Sequence, residues 1–278
     1  MRKNPLVQPV VKWVGGKRQL LQDLVPLLPK SFRSYCEPFF GGGAVLFNLQ
    51  PKKAYINDIN AELVNMYLVV RDNVEQLIDM LSQHKNESGY FYKVRDWDRD
   101  KSFYDNLDPV TKAARLIFLN KTCYNGLFRV NNAGEFNTPF GSYKNPNIVN
   151  APVLRAVSVY LNTSEITISS MDYEDVLDSI KSSTFVYLDP PYDPVSDTAS
   201  FTGYIKNGFN HEEQIRLKQN CDELDKRGVK FLLSNSATPF ILDLYSNYKI
   251  SSVLAKRAIN SVGNRRGDVE EVIVQNYE

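Results

Sequence analysis

The chain is poor in the residues that most often carry metal or covalent chemistry. Its 278 residues include two histidines, His84 and His211, and three cysteines, Cys36, Cys123 and Cys221. No CxxC or HExxH spacing is present, which excludes a zinc ribbon and a histidine-based metalloprotease site. Three widely separated cysteines do not make a secreted disulfide framework and read instead as small core residues. No metal is expected. Apolar runs fall well short of the roughly 20 residues that cross a bilayer, and the stretch MRKNPLVQPVVKWVGGK has no uninterrupted apolar region. No membrane partner is therefore expected, and a cytoplasmic location is. Repeats, low-complexity stretches and flexible linkers are also missing. So is any excess of charge: 33 Lys+Arg stand against 32 Asp+Glu, a formal +1, so the total does not argue for a polyanionic partner.

What is present is an ordinary globular composition, 43% hydrophobic and 23% charged, in a chain long enough for one large α/β domain or a domain with a substantial insertion. Charge is unevenly distributed. Arg2, Lys3, Lys12, Lys17, Arg18, Lys30 and Arg33 are opposed in their segment only by Asp23. Lys121, Arg129, Lys144 and Arg155, and later Lys249, Lys256, Arg257, Arg265 and Arg266, are also sparsely opposed, whereas acids crowd between Asp96 and Asp108 and between Glu165 and Asp225. A basic face for a polyanion and a mixed solvated surface both fit this pattern.

Short β-rich runs recur between helical stretches: Tyr35 to Phe40, Ala54 to Ile59, Ile166 to Ser169, Phe185 to Leu188, Phe231 to Ser234 and Glu271 to Gln275. Alternation of this kind predicts a mostly parallel sheet, with the C-terminal strand beside the one before it. The run KRQLLQDLVPLL after Gly15-Gly16 predicts a helix opened by a glycine turn. Between Ile59 and Ile166 no buried-strand run occurs; an amphipathic stretch from Leu63 to Leu81 opens this insertion. Its later part, TCYNGLFRVNNAGEFNTPFGSYKNP, predicts a hairpin and loop around NNAG.

Three motifs carry chemistry. Glu37-Pro38-Phe39-Phe40-Gly41-Gly42-Gly43 ends a predicted strand, where missing Cβ atoms let backbone approach a nucleoside-type ligand. Leu46 breaks the dinucleotide fingerprint GxGxxG, and Val11 and Arg18 break a P-loop reading of the Gly16-Lys17 region. Alone, this motif could equally be a tight turn. Asp58 ends the next strand at the distance of an acid that grips ribose hydroxyls, the alternative being a helix N-cap. The third motif, Asp189-Pro190-Pro191-Tyr192, follows the buried run TFVYL. An amine whose lone pair is delocalised into a ring is a poor nucleophile until its hydrogens are held. Asp189 and the carbonyl of Pro190 supply two acceptors, Pro190 and Pro191 stiffen the turn, and Tyr192 offers a stacking face.

With these motifs the sequence resembles the DNA adenine methylase (Dam) family of N6-adenine methyltransferases over nearly its whole length. Lys12-Trp13-Val14-Gly15-Gly16-Lys17 is similar to the family's N-terminal motif, Phe39 to Gly43 to its FxGxG, and Asp189 to Tyr192 to its DPPY, in the family's order. The resemblance implies a Rossmann-like S-adenosylmethionine-dependent methyltransferase sheet with an inserted, mainly helical target-recognition domain carrying a β-hairpin. Residues 1–60 and 157–278 would form the catalytic domain and 61–156 the recognition domain. It implies that Trp13, Lys17, Phe39, Gly41, Gly43, Asp58, Asp172 and Asp189 serve S-adenosyl-L-methionine, and that Asp189 to Tyr192 serve an adenine flipped from duplex DNA. Lys12, Tyr124, Asn125, Leu127, Arg129 and Pro139 would meet the DNA, with Arg129 on a guanine edge and GATC as the site. Tyr124 and Leu127 as hairpin core, and Arg129 as a phosphate contact, are the structural alternatives. A restriction endonuclease acting on the same site is a candidate partner. Competing functions are an N4-cytosine methyltransferase, which more often has Ser at the place of Asp189, methylation of RNA or a small molecule, and a non-catalytic DNA-binding protein. None of the cysteines follows a proline, as the nucleophile of a cytosine-C5 enzyme would.

Overall fold

The computed structural model describes residues 3–195, 209–256 and 268–278. Seven strands form one sheet: β1 (Ser34–Glu37), β2 (Lys53–Asn57), β3 (Glu165–Ser169), β4 (Thr184–Leu188), β5 (Lys230–Ser236), β6 (Lys249–Lys256) and β7 (Asp268–Gln275). Their order is β3-β2-β1-β4-β5-β7-β6. β1 pairs in parallel with β2 (Tyr35 opposite Ala54) and β4 (Tyr35 opposite Phe185), and β4 in parallel with β5 (Val186 opposite Phe231). β7 runs antiparallel to β5 (Ser234 opposite Ile273) and to β6 (Ser252 opposite Val272). Every residue of β1 and β4 is buried, which is why TFVYL of β4 reads as an apolar run; β1 buries Glu37 as well. The six expected strands are present. β6 is the addition: it lies at the sheet edge, and KISSVLAK has no apolar run because an edge strand has fewer neighbours to bury against.

The helices are α1 (Leu21–Leu24), α2 (Ala44–Leu49), α3 (Ala61–Asp72), α4 (Val74–Ser82), α5 (Ser88–Arg95), α6 (Lys101–Asp105), α7 (Pro109–Thr122), α8 (Ala151–Thr163), α9 (Tyr173–Ser179), α10 (His211–Lys226) and α11 (Pro239–Leu244). Where one N-terminal helix was expected, the chain makes a 3-10 turn, the four-residue α1 and a second 3-10 turn holding Pro26, whose missing N–H shortens the helix. The amphipathic run from Leu63 to Leu81 is two helices, broken at Asn73 (φ −135°, ψ 37°). None of the described helices is long and apolar enough to cross a membrane.

The chain divides into two compact units. One comprises Met1–Gly16, Gly41–Lys52 and Asn60–Ser170; the other comprises Lys17–Phe40, Lys53–Ile59 and Met171–Glu278. In the second, Cys36, Val186, Leu188, Leu217, Cys221 and Phe231 share a core. All three cysteines are buried and free, and burial pushes the Cys36 and Cys221 thiols well up. In the first unit α7 packs against α3, α4 and α5. It starts cleanly because Asp108 accepts from the backbone of Val110 and Thr111 and Pro109 occupies its first turn.

The same helix buries a cation. Arg115 donates to the carbonyls of Val94 (3.0 Å) and Arg95 (2.6 Å) and pairs with Asp98 at 2.7 Å. Asp98 in turn accepts from the backbone N–H of Phe136 (2.8 Å), while Arg99 donates to the Phe136 carbonyl (2.7 Å). Phe136 belongs to the expected hairpin, which closes through Asn131 N–H to Glu135 O and Gly134 N–H to Asn131 O, each 2.9 Å, and through a bridge of Val130 to Phe136. Arg115 thus seats the hairpin through Asp98. Arg115→Met should cost about 1.5–3 kcal/mol, the range of hydrogen bonds to a charged group, because Asp98 loses one of its two cations and keeps Arg99. Urea unfolding measures this; a loss under about 1 kcal/mol, the range of exposed pairs, would show that the pair is not structural.

Candidate active site

In the second unit, β4 ends at Leu188 and delivers Asp189-Pro190-Pro191-Tyr192 from the middle of the sheet. Asp189 Oδ1 lies 2.7 Å from the Lys17 ammonium and accepts from the Ser234 hydroxyl at 3.1 Å. Oδ2 has no protein donor among the described residues. Burial pushes the Asp189 carboxyl above its ordinary value, and Lys17 and then Ser234 oppose that shift. The Lys17 ammonium also stands 4.5 Å from the centre of the Tyr192 ring, whose hydroxyl donates to Glu271 at 2.7 Å. Lys17 itself is buried. Lys17, distant in sequence, therefore forms one cluster with Asp189 and Tyr192.

Asp58 follows β2 and is half-buried. The cap of α3 comes from Asn60, which accepts from Leu63 N–H at 3.0 Å, so the helix-cap alternative for Asp58 is set aside. Beside it, buried Asn57 donates to the carbonyls of Pro38 (3.1 Å) and Met171 (3.0 Å) and accepts from Met171 N–H (3.0 Å), fixing the end of β1 against the chain leading into α9. Phe39 packs on Tyr173 and Phe209, with ring centres 5.0 and 5.9 Å away. Asp172 lies beyond the end of β3 and caps α9, accepting from Glu174 N–H (2.9 Å), and its carboxylate is bound by Arg216 at 2.7 Å. Any ligand contact there competes with Arg216.

In the first unit, the glycine turn before α2 holds Gly41 at φ 50° and Gly43 at φ 68°. A Cβ on Gly41 would meet the Trp13 ring at 2.9 Å, so this glycine is required both by its left-handed backbone and by the indole. Trp13 stacks on Phe128 with ring centres 4.8 Å apart. The neighbouring Lys12 is held by its backbone, which exchanges two hydrogen bonds with the Asn120 side chain (2.9 and 2.7 Å); Asn120 also donates to Gly126 O (3.0 Å). Lys12 and the segment Tyr124 to Arg129 are thus brought together. Tyr124 and Pro139 are exposed, and the Tyr124 N–H donates to Pro139 O (2.8 Å). Asn125 sits in the left-handed region (φ 57°) and Leu127 is half-buried. Arg129 Nε donates to the Asn137 side chain at 2.7 Å, which aims the guanidinium.

Several functional partners escaped the sequence reading: Ser234 and Glu271 on the turn, Asn57 beside Asp58, Asn120 under Lys12, and Asn137 on Arg129. Of these, only Asn57, a polar residue closing an otherwise apolar strand, carried any local signal.

These arrangements can be set beside known proteins. A family model described as D12 class N6 adenine-specific DNA methyltransferase matches residues 13–259. The type II methyltransferase M1.LlaDCHI of Lactococcus lactis subsp. cremoris is 42% identical over 280 residues, covering 100% of this chain and 98% of its own. The type II methyltransferase M.MjaIII of Methanocaldococcus jannaschii is 45% identical over 291 residues, covering 98% and 99%. The DNA adenine methylase of Escherichia coli K12 is 33% identical over 277 residues, covering 98% and 95%. The match favours adenine over the N4-cytosine alternative and bears out the α/β sheet as a Rossmann-like methyltransferase fold that uses S-adenosylmethionine. The resemblance drawn from the motifs holds along the chain, which belongs to the D12 class of N6 adenine-specific DNA methyltransferases.

Proposed function

We propose that the enzyme methylates an adenine turned out of duplex DNA within GATC, with Asp189 Oδ2 and the Pro190 carbonyl accepting the two amino hydrogens. The observation that carries this reading is which acceptors on the turn are taken. Oδ1 of Asp189 is held by Lys17 and Ser234, and the Pro191 carbonyl accepts from Gln214 (3.0 Å). Oδ2 and the Pro190 carbonyl accept nothing from the described residues. Two neighbouring acceptors, fixed but unsatisfied, suit a group with two hydrogens. Holding both hydrogens turns the nitrogen lone pair out of conjugation and stabilises the positive charge that grows on nitrogen. The proton is then lost to solvent, so no protein nucleophile is needed. A base stacked in a duplex cannot reach such a turn; flipping costs a few kcal/mol, offset by stacking on Tyr192 and by these hydrogen bonds.

S-adenosylmethionine supplies an electrophilic sulfonium methyl, and the chain has residues that fit its nucleoside part. Asp58, which does not cap α3, suits a ribose diol. The glycine turn, whose Gly41 lies too close to the Trp13 ring for a Cβ, is assigned to close backbone approach by the cofactor, with Trp13, Lys17, Phe39, Gly43 and Asp172 as further contacts. Lys12, Tyr124, Asn125, Leu127, Arg129 and Pro139 are assigned to DNA. Asn137 supports base reading by Arg129, since a guanidinium held through Nε can present its two terminal nitrogens to guanine O6 and N7. The type II names of two relatives support a partner restriction endonuclease reading the same site.

Asp189→Ala should give folded protein whose methyl transfer to adenine in duplex DNA is abolished; substantial residual turnover refutes the acceptor role. Asp189 must be ionised to accept, and burial raises its carboxyl, so single-turnover rate should fall on acidification at a higher pH than an ordinary carboxylate titrates. Lys17→Met removes the charge opposing that shift and should move the acid limb to still higher pH; an unmoved limb would mean that the limb does not report Asp189. For Arg129→Ala the expected outcome is relaxed preference at one guanine, worth about 1–3 kcal/mol of discrimination. Rates on a panel of single-base variants of GATC check this, and an equal loss on every sequence reassigns Arg129 to phosphate.

A further inference from the structure

The segment from Asp189 to Asp193 is tied down at every residue but one. Asp189 is held by Lys17 and Ser234, and Tyr192 by Glu271. The Pro191 carbonyl is held by Gln214 Nε2, and the Asp193 N–H by Asn235 Oδ1 at 3.0 Å. The Asp193 carboxylate is held by Thr238 (2.6 Å) and His211 (3.0 Å). Pro190 alone has no such tie among the described residues.

Two of the anchors are unusual for where they lie. Gln214 on α10 and Asn235 on β5 are both fully buried, positions where an aliphatic side chain would avoid the cost of an unsatisfied amide. Both are bonded in a chain with only one consistent direction. Asn235 Oδ1 accepts two backbone N–H groups, from Asp193 and from Ser236 (2.8 Å), so its Nδ2 must point away from them and donates to Gln214 Oε1 (3.0 Å). That fixes the second amide, and Gln214 Nε2 is left to donate to Pro191 O. Flipping either amide would set like groups against each other. The polarity of two backbone N–H groups, that of Asp193 after the turn and that of Ser236 at the end of β5, is thereby passed through two side chains to one carbonyl of the turn.

We infer that Gln214 and Asn235 are positioning residues for methyl transfer: their linked amides claim the Pro191 carbonyl and so hold the turn in the one shape that leaves the Pro190 carbonyl for the substrate amine. The inference rests on the acceptor roles proposed above. Neither residue touches substrate; both act through the orientation of a peptide unit next to a reacting group, where a misplacement of about 1 Å can cost on the order of a hundred-fold in rate.

Two variants separate this role from simple core packing. Gln214→Met keeps the side chain's length and removes both hydrogen bonds. Asn235→Asp keeps the acceptor for Asp193 and Ser236 but turns the second atom from donor to acceptor, so Gln214 must flip to donate to the new carboxylate and then presents its oxygen to the Pro191 carbonyl. A core role alone would tolerate that flip, because the bond between α10 and β5 survives. Single-turnover methyl transfer to duplex DNA containing the preferred site is measured with equilibrium binding of S-adenosylmethionine and of the same duplex. In both variants the rate should fall about ten- to hundred-fold, with both affinities within about two-fold of the parent. A folded Asn235→Asp enzyme that keeps more than half its rate overturns the inference, as does a loss of cofactor affinity matching the loss of rate. Failure of both variants to fold would make the pair a core element and also overturn it. If Asp189→Ala is inactive while Gln214→Met is fast, the positioning inference alone fails; if Asp189→Ala stays active, the acceptor roles fail and this inference with them.

Discussion

The pair of half-buried Asp189 and buried Lys17 is the constraint on which the rest of the site depends. A carboxylate taken out of water at the end of β4 is costly unless a cation and hydrogen bonds accompany it, and removing either partner of such a pair costs more than the pair contributes. Here the ammonium and the Ser234 hydroxyl both fall on Oδ1, where they oppose the effect of burial without using the second oxygen. The same ammonium lies against Tyr192, so one cation orients the acid and the aromatic of the turn together. Lys17 can do this only because it is buried, and its burial follows from the short helical turns that begin directly after the glycine pair Gly15-Gly16.

The sheet converts that local pair into a rigid site. β4 lies between β1 and β5 with parallel registers on both sides, so the ends of all three strands point the same way. β1 ends before the glycine turn, β4 before the acidic turn, and β5 in Ser234, Asn235 and Ser236, each of which is buried. Ligand sites at the carboxyl ends of parallel strands are the general expectation for open α/β sheets. What this chain adds is a β5 end made of polar side chains that reach the neighbouring turn, so the loop does not have to hold itself.

Legibility in the sequence followed burial and chain distance. Strands covered on both faces were plain because their apolar runs are uninterrupted, as in TFVYL of β4, whereas edge strand β6 was not, because KISSVLAK alternates without committing to a face. The turn Asp189 to Tyr192 was readable because two prolines, an acid and an aromatic in a row have few other uses. Its partners Gln214, Ser234 and Glu271 were not, because they reach it through tertiary folding alone, and an isolated Gln within HEEQIRLKQN looks like any polar residue of a solvated helix; Lys17 was named as a cofactor residue, but its pairing with Asp189 was not legible. Asp58 and Asp172 show the limit in both directions. Asp58 could have been a helix cap or a ligand contact, and Asp172 was read only as a ligand contact; geometry gives the α3 cap to Asn60 and the α9 cap to Asp172, a choice that depends on a backbone angle and not on residue type.

The hairpin is built on a different principle from the sheet, and that difference bears on how sequence preference and chemistry can change separately. Val130 and Phe136, and Cys123 and Phe140, meet through isolated bridges rather than a continuous ladder. Its seat consists of discrete side-chain bonds to Phe136 from Asp98 and Arg99, backed by Arg115 on α7, and of Asn120 beneath Gly126. All of these belong to one compact unit, whereas Asp189, Lys17, Ser234, Gln214 and Asn235 all belong to the other. None of the bonds described above that hold the acidic turn involves a residue between Tyr124 and Pro139. A hairpin pinned at a few points tolerates exchange of its exposed residues so long as the pins remain, while the turn, tied at almost every residue, does not. On this architecture the residues proposed to choose the DNA sequence are free to diverge, and those proposed to prepare the amine are not.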